Sequence, residues 1–134
     1  MDARSYLEQV QKIDKMIENK MIEKEQWETI ATGTAGQAAV ERVQTSVNRS
    51  KMSDAVIKAI GIEKDIERLT KKRRQIMEVI ESLPADEYDL VHKVYVQGLS
   101  VFEVAEEYGK SYQWGTKVHR SALMNVKEIL KNGK

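Results

Sequence analysis

The run Leu99-Ser100-Val101-Phe102-Glu103-Val104-Ala105-Glu106-Glu107-Tyr108-Gly109-Lys110-Ser111 constrains the fold of this chain more than any other segment. Ser100 and Glu103 have the spacing of a capping box, in which each side chain satisfies an amide at the start of a helix. Val101, Val104 and Ala105 then fall on one face, and small Ala105 suits a point where two helices cross closely. Gly109 supplies the positive φ of a tight turn. Ser111 is placed to cap a further helix running from Tyr112 to about Leu130, with Val118, Ala122, Leu123, Val126, Ile129 and Leu130 as its inner stripe.

The residues before this run have the same character. Pro84 follows Leu83 and suits the first turn of a helix, where a missing N–H costs nothing. Asp86, Glu87 and Asp89 crowd that helix start and complement its dipole. Leu90, Val91, Val94 and Tyr95 supply an apolar face, and Gly98 ends the helix in the left-handed position. Three consecutive helices with two short turns result, the arrangement of a helix-turn-helix.

Upstream, Tyr6, Val10, Ile13 and Ile17 recur at spacings of four and three, and the register continues through Lys20, Lys24, Trp27 and Ala31. This predicts one helix from about Ala3 to Ala31, with lysines weakening the inner stripe of its second half. Thr32-Gly33-Thr34-Ala35-Gly36-Gln37 interrupts the pattern, Ala38 to Val43 returns to it briefly, and residues 32–52 read as a flexible linker. Ser53 is expected to start a second long helix over residues 53–83. Its inner positions Ala59, Ile62, Ile66, Leu69, Arg73, Ile76, Ile80 and Leu83 alternate by three and four, a heptad seam. The two long helices form either an antiparallel hairpin or a coiled coil between two copies; the pattern leaves both open.

The expected class is therefore all-α: two long N-terminal helices (1–31 and 53–83) followed by a helix-turn-helix domain over 84–134. Composition agrees, with a single Pro and 32% charged residues, a mixture that supports amphipathic helices. The chain has no Cys, which excludes disulfides and thiolate metal sites and points to a reducing, cytoplasmic setting. Its first residues lack a signal-peptide pattern, and no apolar run approaches the roughly 20 residues that span a bilayer. No membrane partner is expected.

Net charge is only +1, but it is unevenly spread. Between Leu83 and Tyr108 six acids face the single base Lys93; between Gly109 and Lys134 six bases face the single acid Glu128. A basic segment behind an acidic one suits orientation on phosphate, although a solvated helix has the same composition. The block Lys71-Lys72-Arg73-Arg74 has the same two readings, a solvated surface with a snorkelling Arg or a phosphate contact.

Leu83-Pro84, Tyr95-Val96-Gln97-Gly98-Leu99-Ser100, Glu103-Val104-Ala105, Gly109 and Val118-His119-Arg120-Ser121-Ala122-Leu123 resemble region four of bacterial sigma factors, which binds a promoter element through a helix-turn-helix. The helix layout of the whole chain is similar to a family of phage and prophage proteins of Gram-positive bacteria that resemble phage late-operon transcriptional regulators. The resemblance implies a DNA-binding transcription regulator in the bacterial host cell, with double-stranded DNA as partner. Two departures stand out. Gly115 occupies a position where sigma-like readers have an apolar β-branched residue, implying a missing core contact and a recognition helix that starts late or is filled by Trp114. Tyr112-Gln113-Trp114 brings two aromatics where small polar and charged residues are usual.

On the exposed face of the third helix, Tyr112, Gln113, Thr116, Lys117 and Arg120 are the residues expected to reach base edges: Gln113 toward adenine, Lys117 or Arg120 toward guanine or phosphate, Thr116 toward a thymine methyl. Ser111 caps the helix and joins this DNA-binding set, and Trp114 is expected to pack rather than stack on a base. Lys110, His119, Lys71, Lys72 and Arg74 are the expected phosphate contacts. The long helices are expected to give a homodimer or a surface for RNA polymerase.

His92 and His119 are the only histidines, and neither belongs to a ligand-spaced cluster. With no nucleophile–base pattern, phosphate loop or metal motif, neither enzymatic activity nor a cofactor is expected. Two other functions compete with the DNA reader: a module that grips RNA polymerase or a sigma factor without reading DNA, and recognition of phage DNA in the manner of a small terminase subunit.

Overall fold

The computed structural model describes residues 1–33 and 45–133, with backbone alone for 45–49. The protein is all-α. Its helices are α1 (Ala3–Ala31), α2 (Thr45–Glu81), α3 (Ala85–Val91), α4 (Val101–Glu107) and α5 (Tyr112–Asn132), and α3 continues into a π-helical turn over His92–Val96. No helix among the described residues is long and apolar enough to cross a membrane. The chain forms two compact units, Met1–Asp14 with Lys72–Lys134, and Lys15–Lys71.

α1 spans the range its periodicity predicts. α2 does not: it starts at Thr45 rather than Ser53, so the last eight residues assigned to a linker are helical. The hydroxyl that marks a helix start at Ser53 is exposed within the helix, and Ala55, beyond the expected seam, is completely buried. Gly33 takes φ +74°, and a Cβ there would lie 3.2 Å from Met52 Cε. That packing at the end of α1 reaches a turn upstream of the seam. The segment Ala38–Val43 lies outside the described residues.

In the 15–71 unit, Lys20 pairs with Asp65 at 3.4 Å, and Lys58 stands 5.4 Å above the Trp27 ring. Residues later in α1 thus meet residues earlier in α2, the antiparallel hairpin. Lys24 bridges Glu28 within α1 at 3.2 Å, so both inner lysines of the α1 stripe have carboxylate partners. This unit also carries Met21, Ile22, Val56, Ile57 and Ile60 exposed.

The other unit takes in more than residues 84–134. Its core joins Leu7 and Val10 of α1, Ile76 and Ile80 of α2, Leu90 and Val91 of α3, Val104 of α4 and Val126 of α5, none more than 1% exposed. Full burial of such side chains stabilises by about 1.5–3 kcal/mol each. Arg73 donates to Asp14 from Nε to Oδ1 at 2.5 Å and from Nη2 to Oδ2 at 3.4 Å, so the charged seam position is matched across the helix pair.

Candidate nucleic-acid interface

The turn into α4 is built as its sequence predicts. Gly98 takes φ +86°, and the Leu99 amide reaches back to the Lys93 carbonyl at 2.9 Å. The Glu103 amide donates to Ser100 Oγ at 3.1 Å while the Ser100 amide donates to Glu103 Oε1 at 2.8 Å, a complete capping box. Gly109, at φ +66°, turns the chain out of α4. Ser111 Oγ then accepts the Trp114 amide at 3.1 Å and opens α5.

Gly115 is buried where α4 and α5 cross. A Cβ added there would lie 2.9 Å from Val101 Cγ1 and 3.3 Å from Ala105 Cβ. The glycine therefore removes no core contact; it permits a closer approach than any side chain would allow. α5 is helical from Tyr112, so it neither starts late nor needs Trp114 as filler. Trp114 instead packs edge-on against Tyr108, centroids 5.2 Å apart, with Lys110 Nζ 6.0 Å from its ring.

Acidic side chains tie this motif together. Glu87 accepts from Ser121 Oγ at 2.7 Å and from Asn125 Nδ2 at 2.6 Å, linking α3 to α5. Lys93 bridges Asp89 at 3.4 Å and Glu107 at 3.2 Å. The Tyr108 hydroxyl donates to Asp89, and burial together with that bond pushes the phenol up to about 12. Glu87, Asp89, Glu103 and Glu107 thus each hold a helix start or a neighbouring helix.

His119 departs from expectation. It faces inward with Gly115, Ala122 and Val126, and its Nε2 lies 2.7 Å from the Tyr95 hydroxyl. Burial, followed by the Arg4 charge, lowers its pKa below the ordinary value. A buried, uncharged ring spent on Tyr95 cannot serve as a phosphate contact. The sequence reading missed this because position 119 lies one residue beyond an inner stripe drawn through Val118 and Ala122. Of that stripe Ala122 and Val126 are buried, while Val118, Leu123, Ile129 and Leu130 are half-buried.

On the opposite side of α5, Gln113, Lys117 and Arg120 are exposed and Thr116 is half-buried. Spaced i, i+3, i+4 and i+7, Gln113, Thr116, Lys117 and Arg120 share one face. Thr116 Oγ1 donates to the Gln113 carbonyl at 3.0 Å, which commits its hydroxyl proton to the helix. Tyr112 borders this face, and its ring lies 6.3 Å from that of Phe102 on α4. Phe102 escaped the sequence reading because its neighbours Val101 and Val104 carry the inward pattern. Lys110 is exposed in the turn before α5; Lys71, Lys72 and Arg74 are exposed on α2 and belong to a different element from the α5 face.

No family model matches this chain, and neither curated proteins nor solved structures give a significant match.

Proposed function

We propose that the protein is a sequence-specific DNA-binding transcription regulator of phage type, reading double-stranded DNA with α5. The observation that carries this reading is the outward face of α5, where Gln113, Lys117 and Arg120 stand exposed on a helix capped by Ser111 and held close to α4 at the Gly115 crossing. Amide and guanidinium groups pair with base edges, and ammonium and guanidinium groups with phosphate. Ser111 and Lys110 add phosphate contacts at the start of the helix, and the resemblance to sigma region four supplies the promoter as target.

The test is selection of bound duplexes from a random pool, followed by salt titration of the selected site. An enriched motif is expected, and Lys117→Ala with Arg120→Ala should reduce the slope of log affinity against log salt by about 2. No enrichment, or an unchanged slope with undiminished affinity, overturns the assignment.

The exposed Met21, Ile22, Val56, Ile57 and Ile60 favour a second role for the long hairpin, as a contact for RNA polymerase or for another copy of the chain. Sedimentation of the isolated protein and polymerase binding without DNA separate these partners. Polymerase binding with no DNA binding at low salt would select the interaction module over the reader.

A further inference from the structure

Phe102 and Tyr112 are each 52% exposed, although both stand beside the caps and the close crossing that build the helix-turn-helix. Their ring centroids are 6.3 Å apart with planes inclined by 53°, within the range of a genuine aromatic pair. Phe102 follows Val101, whose side chain meets the Gly115 backbone, and Tyr112 follows the Ser111 cap. The close Val101–Gly115 approach of α4 to α5 thus brings the two backbone positions that carry the rings near each other. Exposed single apolar residues are ordinary; two that touch across the motif, beside the outward face of α5, make a small shaped surface.

The size and surroundings of that surface limit its occupant. Two half-exposed rings offer on the order of 100 Å² each, well short of the roughly 800 Å² per partner of a stable protein interface. Thr116 lies one helical turn from Tyr112, and the cations Lys117 and Arg120 follow on the adjoining face. A fitting ligand presents small apolar points within an anionic framework. In duplex DNA, the thymine C5-methyl groups of the major groove have this character, and phenyl rings contact them.

We infer that Phe102 and Tyr112 form an apolar subsite for thymine C5-methyl groups, making Phe102 a specificity residue supplied by α4 rather than α5. This inference rests on the DNA-reading function proposed above.

Deoxyuridine differs from thymidine only by that methyl group, so the decisive experiment needs no protein variant. The thymines of the selected duplex are replaced one at a time, and wild-type affinity is measured for each. One or two replacements are expected to weaken binding about fourfold, the effect of exposing one methyl group. Phe102→Ala and Tyr112→Ala are expected to lose a similar factor on the thymine duplex and to bind the corresponding deoxyuridine duplex no worse. Both side chains are half exposed, and unchanged melting of the variants verifies that the fold persists.

Equal wild-type affinity for all thymine and deoxyuridine duplexes overturns the subsite while leaving DNA reading intact, as does a selected motif without thymine. Thymine discrimination that survives in the Phe102→Ala, Tyr112→Ala double variant also overturns it and moves the methyl contact to Thr116. Absence of binding to any duplex overturns the DNA reading itself, and the subsite with it.

Discussion

The hydroxyl of Tyr95 lies 2.7 Å from Nε2 of His119, and the two residues are only 6% and 9% exposed. The pair joins the π-helical turn to the inner face of α5, near the Arg4 charge of α1. Protonating the imidazole in place would put a cation in that buried setting, close enough to the exposed Arg4 for the two charges to repel.

Acid sensitivity above the carboxylate range follows. His119 has a folded-state pKa below its ordinary 6.5, with burial the larger cause and Arg4 the next. At pH below about 6.5 the unfolded chain binds a proton that the folded chain refuses. The stabilisation is therefore complete above that pH and is lost as pH falls toward the depressed folded value. Urea unfolding between about pH 7.5 and about pH 5 should show a steeper loss for wild type than for His119→Gln. Parallel curves would remove His119 as the source.

Gly115→Ala sets two effects against each other. Helix propensity favours alanine by about 1 kcal/mol. The new Cβ, however, meets Val101 Cγ1 at 2.9 Å, and a β-branched side chain has little freedom to move away. Overpacking of this kind costs about 1–3 kcal/mol, so the net expectation is a loss of about 1 kcal/mol in urea unfolding. Combining it with Val101→Ala should recover part of the loss as a favourable coupling. Gly115→Val, the substitution that the sigma resemblance suggests, should destabilise more than alanine does. A stabilised Gly115→Val would contradict the close crossing.

The two serine caps should behave alike in kind but differ in degree. Ser111→Ala removes one side-chain acceptor and should cost about 1 kcal/mol. Ser100→Ala also breaks a reciprocal box, leaving the Glu103 carboxylate without its anchored partner, and should cost up to about 2 kcal/mol. Denaturant midpoints at constant m-value measure both. Equal, negligible losses would mean that water replaces the caps freely.

The Asp14–Arg73 pair has two-point geometry, but its side chains remain 39% and 33% exposed. Solvent screening limits its worth, and a double-mutant cycle with Asp14→Ala and Arg73→Ala should give a coupling of about 0.5–1 kcal/mol that falls as salt is raised. Absence of coupling at low salt would reduce the pair to a coincidence of surface side chains.

Local chemistry was readable from the chain; encounters between distant residues were not. Ser100 with Glu103, Gly98, Gly109 and Ser111 announce their roles because a cap or turn depends on residues within a few positions. The bounds of α1 follow from its own periodicity. The start of α2 at Thr45 does not, since Thr45–Met52 has no apolar repeat and its packing includes a contact from Gly33 across the hairpin. Leu7 is fully buried yet lies outside the stripe drawn through Tyr6 and Val10. Gly115 looked like a defect because the residues that crowd it, Val101 and Ala105, lie on another helix. The exposed cations and Gln113 could be named from a helical wheel, whereas the Phe102–Tyr112 pairing required the crossing of α4 and α5.

The two faces of α5 differ in their freedom to change. Gly115, His119, Ala122 and Val126 face inward, each fitted to a neighbour or to the core. Gln113, Lys117 and Arg120 face solvent, where substitutions usually shift stability by no more than about 0.5 kcal/mol. A lineage carrying this helix can therefore retarget its outer surface in single steps while the fold stays under purifying constraint. Among related chains, diversity along α5 should follow the helical turn, concentrated at positions 113, 117 and 120 and sparse at 115, 119, 122 and 126.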